Sequence, residues 1–291
     1  MDHRHELRIM VRGIYDLQKL RIQMGNRIVM NFLAKLGQAP GEKGDTLEAE
    51  NKHVLDMLKE RYKKLTDGVM DLPAMKDFDG DEVISSYAEL AMLAHYLMME
   101  KQERRGFREI GLLLDEIPIY GHFLKGVKGI GPAMAGVLIS EIDIREARHP
   151  SSLWKYAGLD VAGDGRGRSK RKEHLVRVKY KDKDGKEQER DSITFNPFLR
   201  TKLLGVLAAS FLRAGSPYAA AYQDYKHRME HHQTYGEGKP GHRHRMALRY
   251  MIKMFLVDLY ASWRELEGLP VSKPYHEAKL GHGEARLVKS A

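Results

Sequence analysis

The sequence predicts a mainly α protein, with a helical coiled-coil arm followed by a helical domain that carries a helix-hairpin-helix and one inserted β-hairpin. Three observations predict it. Apolar residues recur at alternating three- and four-residue steps through the first third of the chain. A glycine-rich bend, Gly126-Val127-Lys128-Gly129-Ile130-Gly131-Pro132, separates two apolar stretches. One alternating segment around Asp182-Lys183-Asp184-Gly185 supplies the single convincing β signal.

The arm comes first. Leu7, Met10, Ile14, Leu17, Met24 and Ile28 form a heptad seam, with Arg21 at a seam position where a charge sets register or leaves the seam partly open. A second helix carries Leu47, Val54, Leu55, Leu58, Tyr62 and Leu65 on one face, and a third carries Val83, Tyr87, Leu90, Ala94 and Leu97. The breaks fall at Gly37-Gln38-Ala39-Pro40-Gly41 and Asp71-Leu72-Pro73. Residues 5–117 thus read as an antiparallel helical arm suited to self-association. Asp79 or Asp81 is expected to cap the third helix, because the acidic run Asp77–Glu82 has its glycine misplaced for a calcium loop. Met92, Met98 and Met99 are expected to pack in the core.

The glycine bend follows. Gly126, Gly129 and Gly131 can turn without a Cβ clash, and Pro132 fits the first turn of a helix. The unpaired N–H groups there, with Lys125 and Lys128, would seat a phosphate. Residues 151–159 read as a short helix ending at Gly158, with Trp154, like Trp263, a core anchor. The Gly163–Lys170 segment reads as a mobile Gly/Arg loop whose amides could wrap phosphate. Strands are predicted at 174–180 and 187–195, and helices at roughly 197–213, 217–232 and 244–266. The domains divide as 1–119, 120–267 (β-hairpin insertion about 172–195) and a flexible tail, 268–291.

Composition narrows the function. The 291 residues carry net charge +9, and residues 166–190 hold 11 Lys/Arg against 5 Asp/Glu. The basic balance is compatible with nucleic acid or an anionic membrane and does not choose between them; its clustering favours a local binding surface, and no apolar run reaches membrane-spanning length. With no cysteine, a disulfide framework, a thiolate zinc site and a cysteine nucleophile are excluded, and a reducing cytoplasm suits the chain. His227, His231, His232, His242 and His244 lack acidic partners at metal-binding spacing, so neither a metal nor another cofactor is expected. The expected contacts to nucleic-acid backbone are Lys125, Gly126, Lys128, Gly129, Gly131, Arg166, Arg168, Lys170, Arg171 and Lys172.

The order Val127–Pro132, Ala135 to Glu141, Leu153-Trp154-Lys155-Tyr156-Ala157-Gly158-Leu159, Asn196-Pro197-Phe198-Leu199-Arg200, Tyr218–Tyr222, His244–Leu248 and Leu259–Arg264 resembles the C-terminal transposase domain of the serine/DEDD insertion-sequence transposases. The resemblance spans roughly residues 120–266, and the arm is similar to the coiled-coil linker before that domain. It implies action in DNA transposition, guided in that family by a bridge RNA, so DNA or structured RNA is the expected partner. It also implies a serine nucleophile after the Ala-Gly-Leu segment. Ser169 stands nearest, followed by Lys170 where the family has glycine, and Ser192 is a more distant candidate. The family's RuvC-like acidic domain does not precede the arm here, so catalysis would need that domain in trans. No general base stands out near Ser169, although Arg166, Arg168 and Arg171 could stabilise a pentavalent phosphate. Three function classes remain open: a nucleic-acid-binding protein of DNA recombination, a serine-dependent transposase, and a non-catalytic assembly protein acting through the arm.

Overall fold

The computed structural model describes residues 3–37, 49–69 and 71–273. Leu47, most of the first predicted break and the tail beyond Lys273 lie outside the described residues. The chain forms two compact units, Ile9–Ile110 and Met1–Arg8 with Gly111–Ala291. The division falls at 110/111, short of the 119/120 boundary expected from Ile117-Pro118.

Three helices build the first unit: α1 (His3–Lys35), α2 (Ala49–Leu65) and α3 (Tyr87–Asp115). Pairings between α1 and α3 run in opposite directions: Tyr15 with Phe107, Gln18 with Glu103 and Asn31 with Glu89. The helices are therefore antiparallel. Ile28, Val29, Leu55, Leu58, Tyr62, Leu90 and Leu93 share one buried cluster. Arg21, at its seam position, donates to Glu103 and to the Tyr96 hydroxyl, which satisfies its charge where the helices meet.

Three expectations in this unit need correction. The third helix begins at Tyr87, so Val83 precedes it. Its cap is Ser86, whose Oγ accepts from Glu89 N–H, while Asp81 accepts from Val83 and Ile84 N–H within the preceding turn. The capping bonds decide the boundary, because the same acidic residue can close a turn or start a helix. Met98 is 51% exposed; the core-facing aromatic beside it is Tyr96.

The second unit is ordered around α10 (Pro240–Leu266), which starts four residues before its predicted position because Pro240 occupies the first turn. Its segment Met254–Arg264 is buried throughout. Phe255 meets Phe123, Phe211 and Tyr218 at 5.3–6.4 Å between ring centroids. The other helices are α4 (Pro118–His122), α5 (Pro132–Glu141), α6 (Pro150–Tyr156), α7 (Pro197–Thr201), α8 (Ala208–Ala214) and α9 (Tyr218–Glu230). A π-helical stretch, Lys202–Leu207, joins α7 to α8. Asn196 caps α7 and also donates to Glu141 of α5, tying the two helix ends together. Trp154 is only half-buried, its ring N–H donating to Lys253 O, whereas Trp263 is buried. Residues Leu269–Ser272, expected to be loose, are tied back: Leu269 N–H donates to Arg264 O, and Ser272 bonds to Tyr260 and Arg148.

The strands, β1 (Val176–Lys181) and β2 (Glu187–Ser192), pair antiparallel with Gly185 at φ 77° in the turn. The register sets Arg177 opposite Asp191, Lys179 opposite Glu189 and Lys181 opposite Glu187. Strand alternation places these three pairs on one face. The cationic surplus expected across 166–190 is therefore offset along the hairpin and concentrated in the segment before it.

Candidate nucleic-acid interface and the Ser169 cleft

The glycine bend is tighter than a full helix-hairpin-helix. The five-residue α4 and a 3₁₀ turn, Leu124–Gly126, stand where the sequence suggests a first helix, because the backbone leaves helical geometry at Phe123, between them. Of the three glycines, Gly129 alone needs a left-handed conformation, at φ 97°. A Cβ there would press on Phe211 and Ser210 O, and Ser210 Oγ donates to Gly129 O. Gly131 is the extended N-cap of α5, and Gly126 closes the 3₁₀ turn. The outer surface is open: Lys125, Gly126, Lys128 and Gly131 are exposed. Lys125 is not the free cation the sequence suggests. Its Nζ lies 3.0 Å from Asp115 and above the Tyr120 ring.

The Gly/Arg loop, expected to be mobile, is a closed turn. Ala162 N–H donates to Arg166 O, Gly165 N–H to Ala162 O, and Arg168 N–H to Asp160 O, with Gly165 at φ 74°. Asp160 holds the Arg168 guanidinium through two donors, Nη2 at 2.7 Å and Nε at 3.2 Å. Arg168 is thus a brace of the loop. Arg166, Lys170 and Lys172 are exposed, and among the described residues no carboxylate pairs with them or with Lys128.

Ser169 sits at the mouth of a cleft of about 350 Å³ lined by Lys170, Phe195, Pro197, Arg200, Thr201 and Leu204. The π-helical stretch supplies Leu204 at its wall, and such widened turns recur at functional sites. Gly158, at φ 66°, lets Phe195 pack where a Cβ would collide, which seats the wall of the cleft.

The sequence reading missed the partners of Ser169. Its Oγ lies 3.0 Å from His174 Nδ1 and accepts from Arg171 Nε at 3.1 Å. His174 is buried, and its Nε2 lies 3.1 Å from Asp164 Oδ2. The Arg166 N–H, then His174, hold the Asp164 carboxyl below its ordinary range. A base within five residues of Ser169 was visible as letters; only the 3₁₀ turn Lys172–His174 folds the ring back onto the serine. Ser192, the alternative nucleophile, ends β2 with its Oγ donating to Ile193 O.

A cation cluster was also missed. Arg249, in α10, packs against Gly167, its Nη1 3.5 Å from Gly158 O. Arg200 lies over the Phe195 ring and Lys253 over Trp154. Burial, followed by repulsion from Arg249, pushes Arg200 down to about 10. Burial also lowers Arg249, and burial followed by Arg249 lowers Lys253. Among the described residues, Asp160 is the carboxylate that pulls these three back, and Arg168 already binds it. Burial alone pushes Lys202 down to about 8. In the sequence, the i, i+4 spacing of Arg249 and Lys253 inside an apolar helix was the available signal.

The described histidines of the C-terminal third, His227, His231, His232, His242 and His244, do not gather into one group. The His227 and His231 rings lie 4.4 Å apart, tilted by 41°, and among the described residues no group of three or more ligating side chains could hold a metal. Among the same residues, no helix is long and apolar enough to cross a membrane. No protein-family model, curated protein or solved structure matches this chain.

Proposed function

We propose that this protein binds nucleic-acid backbone and acts in DNA transposition or recombination, as its resemblance to the serine/DEDD transposases implies. One observation carries the binding reading: three half-buried cations, Arg200, Arg249 and Lys253, share a single carboxylate that Arg168 already occupies. Cations crowded in this way destabilise one another until an anion enters. A phosphodiester supplies that anion. The exposed Lys128, Arg166, Lys170 and Lys172 extend the positive field, and the N-terminus of α5 behind Gly131 would work as the second half of a helix-hairpin-helix grip.

The test is fluorescence anisotropy with duplex DNA and with a structured RNA, each titrated with salt. If four to six phosphates are neutralised, the log–log slope on duplex DNA is about −4 to −5. Salt-insensitive or absent binding to both would falsify this reading and leave the assembly role of the helical arm.

A second reading, strand transfer through Ser169, is favoured by the position of its Oγ at the cationic cleft. It predicts a denaturant-resistant protein–DNA adduct that Ser169→Ala abolishes. Persistent failure to trap such an adduct, with the acidic domain supplied in trans, counts against it.

A further inference from the structure

We propose that His174 and Asp164 form an in-chain relay that makes Ser169 a nucleophile, with His174 as its general base. The inference deepens the second reading above and rests on it for the choice of substrate. The hydrogen bonds define the ring's state. Ser169 N–H donates to His174 Nδ1 at 3.0 Å, so that nitrogen carries a lone pair. The ring hydrogen then sits on Nε2 and donates to Asp164 Oδ2. The same Nδ1 lone pair lies 3.0 Å from Ser169 Oγ, within reach of the hydroxyl proton. Arg171 completes the surroundings. Its Nε donates to Ser169 Oγ, and its Nη2 lies 3.5 Å from Asp164 Oδ2 and 3.4 Å from His174 Nε2. It stabilises the oxygen as its proton leaves, while Asp164 stabilises the imidazolium that forms.

The step balances within these groups and solvent. The Ser169 Oγ–H proton passes to His174 Nδ1 as the Oγ–P bond forms. One ester P–O bond of the phosphodiester breaks, and its electron pair leaves on the deoxyribose oxygen. Water protonates that oxygen, and the imidazolium returns its proton to solvent. Arg200 and Lys170 line the cleft in which the phosphoryl oxygens would carry the charge.

The relay is testable without DNA. A fluorophosphonate probe reacts with activated serines: the Oγ–P bond forms, fluoride leaves with the P–F electron pair, and the proton goes to the base. Incubation of the full chain with this probe, read by peptide mass spectrometry, is expected to label Ser169. His174→Gly should slow labelling at least about 100-fold, and added imidazole should restore about tenfold of that loss. His174→Gln keeps a polar side chain in the same space, so slowed labelling with unchanged circular dichroism separates lost base from lost fold. Asp164→Asn positions the ring less well. It should shift the histidine tautomer balance seen in nitrogen chemical shifts and slow labelling about tenfold. An unlabelled Ser169 in the wild type, or equal labelling in wild type and His174→Gln, overturns the relay. The DNA reading fails separately: a labelled Ser169 that never forms a DNA adduct keeps the relay and removes strand transfer. A DNA adduct that His174→Gln forms at wild-type rate does the reverse.

Discussion

The pairs of the helical unit and the cluster around Arg249 in the other unit handle half-buried charge in opposite ways. In the helical unit Ile9–Ile110 such cations meet carboxylates: Arg21 meets Glu103, Lys59 meets Glu100, and Arg61 meets Asp81. Burial lowers both groups, but their neighbours together outweigh it, Glu103 and Tyr96 for Arg21 and Tyr96, Asp56 and Glu100 for Lys59, so the Arg21 and Lys59 pKa values are raised. In the other unit burial lowers Arg200, Arg249, Lys202 and Lys253, and Asp160 only partly offsets it for Arg200, Arg249 and Lys253. In the first unit the Arg21–Glu103 pair ties α1 to α3. The cationic surplus in the second raises the folded state's energy, which is what the proposed anion binding would relieve.

The largest effect expected from breaking this contrast is in the helical unit. Glu103→Ala leaves Arg21, whose side chain is 15% exposed, with only Tyr96 as acceptor. Urea denaturation should show a loss of about 2–3 kcal/mol, since stranding one member of a half-buried pair costs more than losing a surface pair. A loss below about 0.5 kcal/mol would equate the pair with an ordinary surface one.

Arg249→Met comes next, and its two readouts should move in opposite directions. Duplex affinity should fall about tenfold or more, as one charge-assisted phosphate contact disappears. The melting temperature should hold or rise. A joint fall in both would mean that Arg249 supports the fold and not a ligand.

Lys202→Met sharpens the contrast through pH. Its folded pKa of about 8 lies below the ordinary lysine value of 10.5, so between these values the unfolded chain binds more protons. Wild-type stability therefore gains from this group as pH rises from about 8 to 10.5. At pH 7 the charged form is penalised in full, and Lys202→Met should stabilise by about 1 kcal/mol, with the gain shrinking toward pH 10.5. An equal gain at both pH values would trace the effect to packing.

The smallest effects distinguish the two lysines of the glycine bend. Lys128→Ala should reduce the salt slope by about 0.9, the share of one phosphate contact. Lys125→Ala, whose charge Asp115 already offsets, should change affinity less than about twofold. Equal losses would show that the Asp115 pair opens on binding.

Local order was legible because it is written in neighbouring residues. The apolar spacing of α1–α3, Pro132 opening α5, Gly185 in the hairpin turn and the serine of the Gly/Arg loop can all be read from short windows of sequence. Whether a cation is braced or spare cannot. Arg168 and Arg200 look alike as letters, yet one is held by Asp160 and the other is repelled by Arg249, 49 positions along the chain. The sequence by itself determined a helical chain with a glycine bend, a β-hairpin and a cationic loop. Tertiary structure decided that His174 turns onto Ser169 and that Arg200, Arg249 and Lys253 gather beside Asp160. Coulomb energy and desolvation depend on distances through space, and packing sets those distances across segments that share no sequence window.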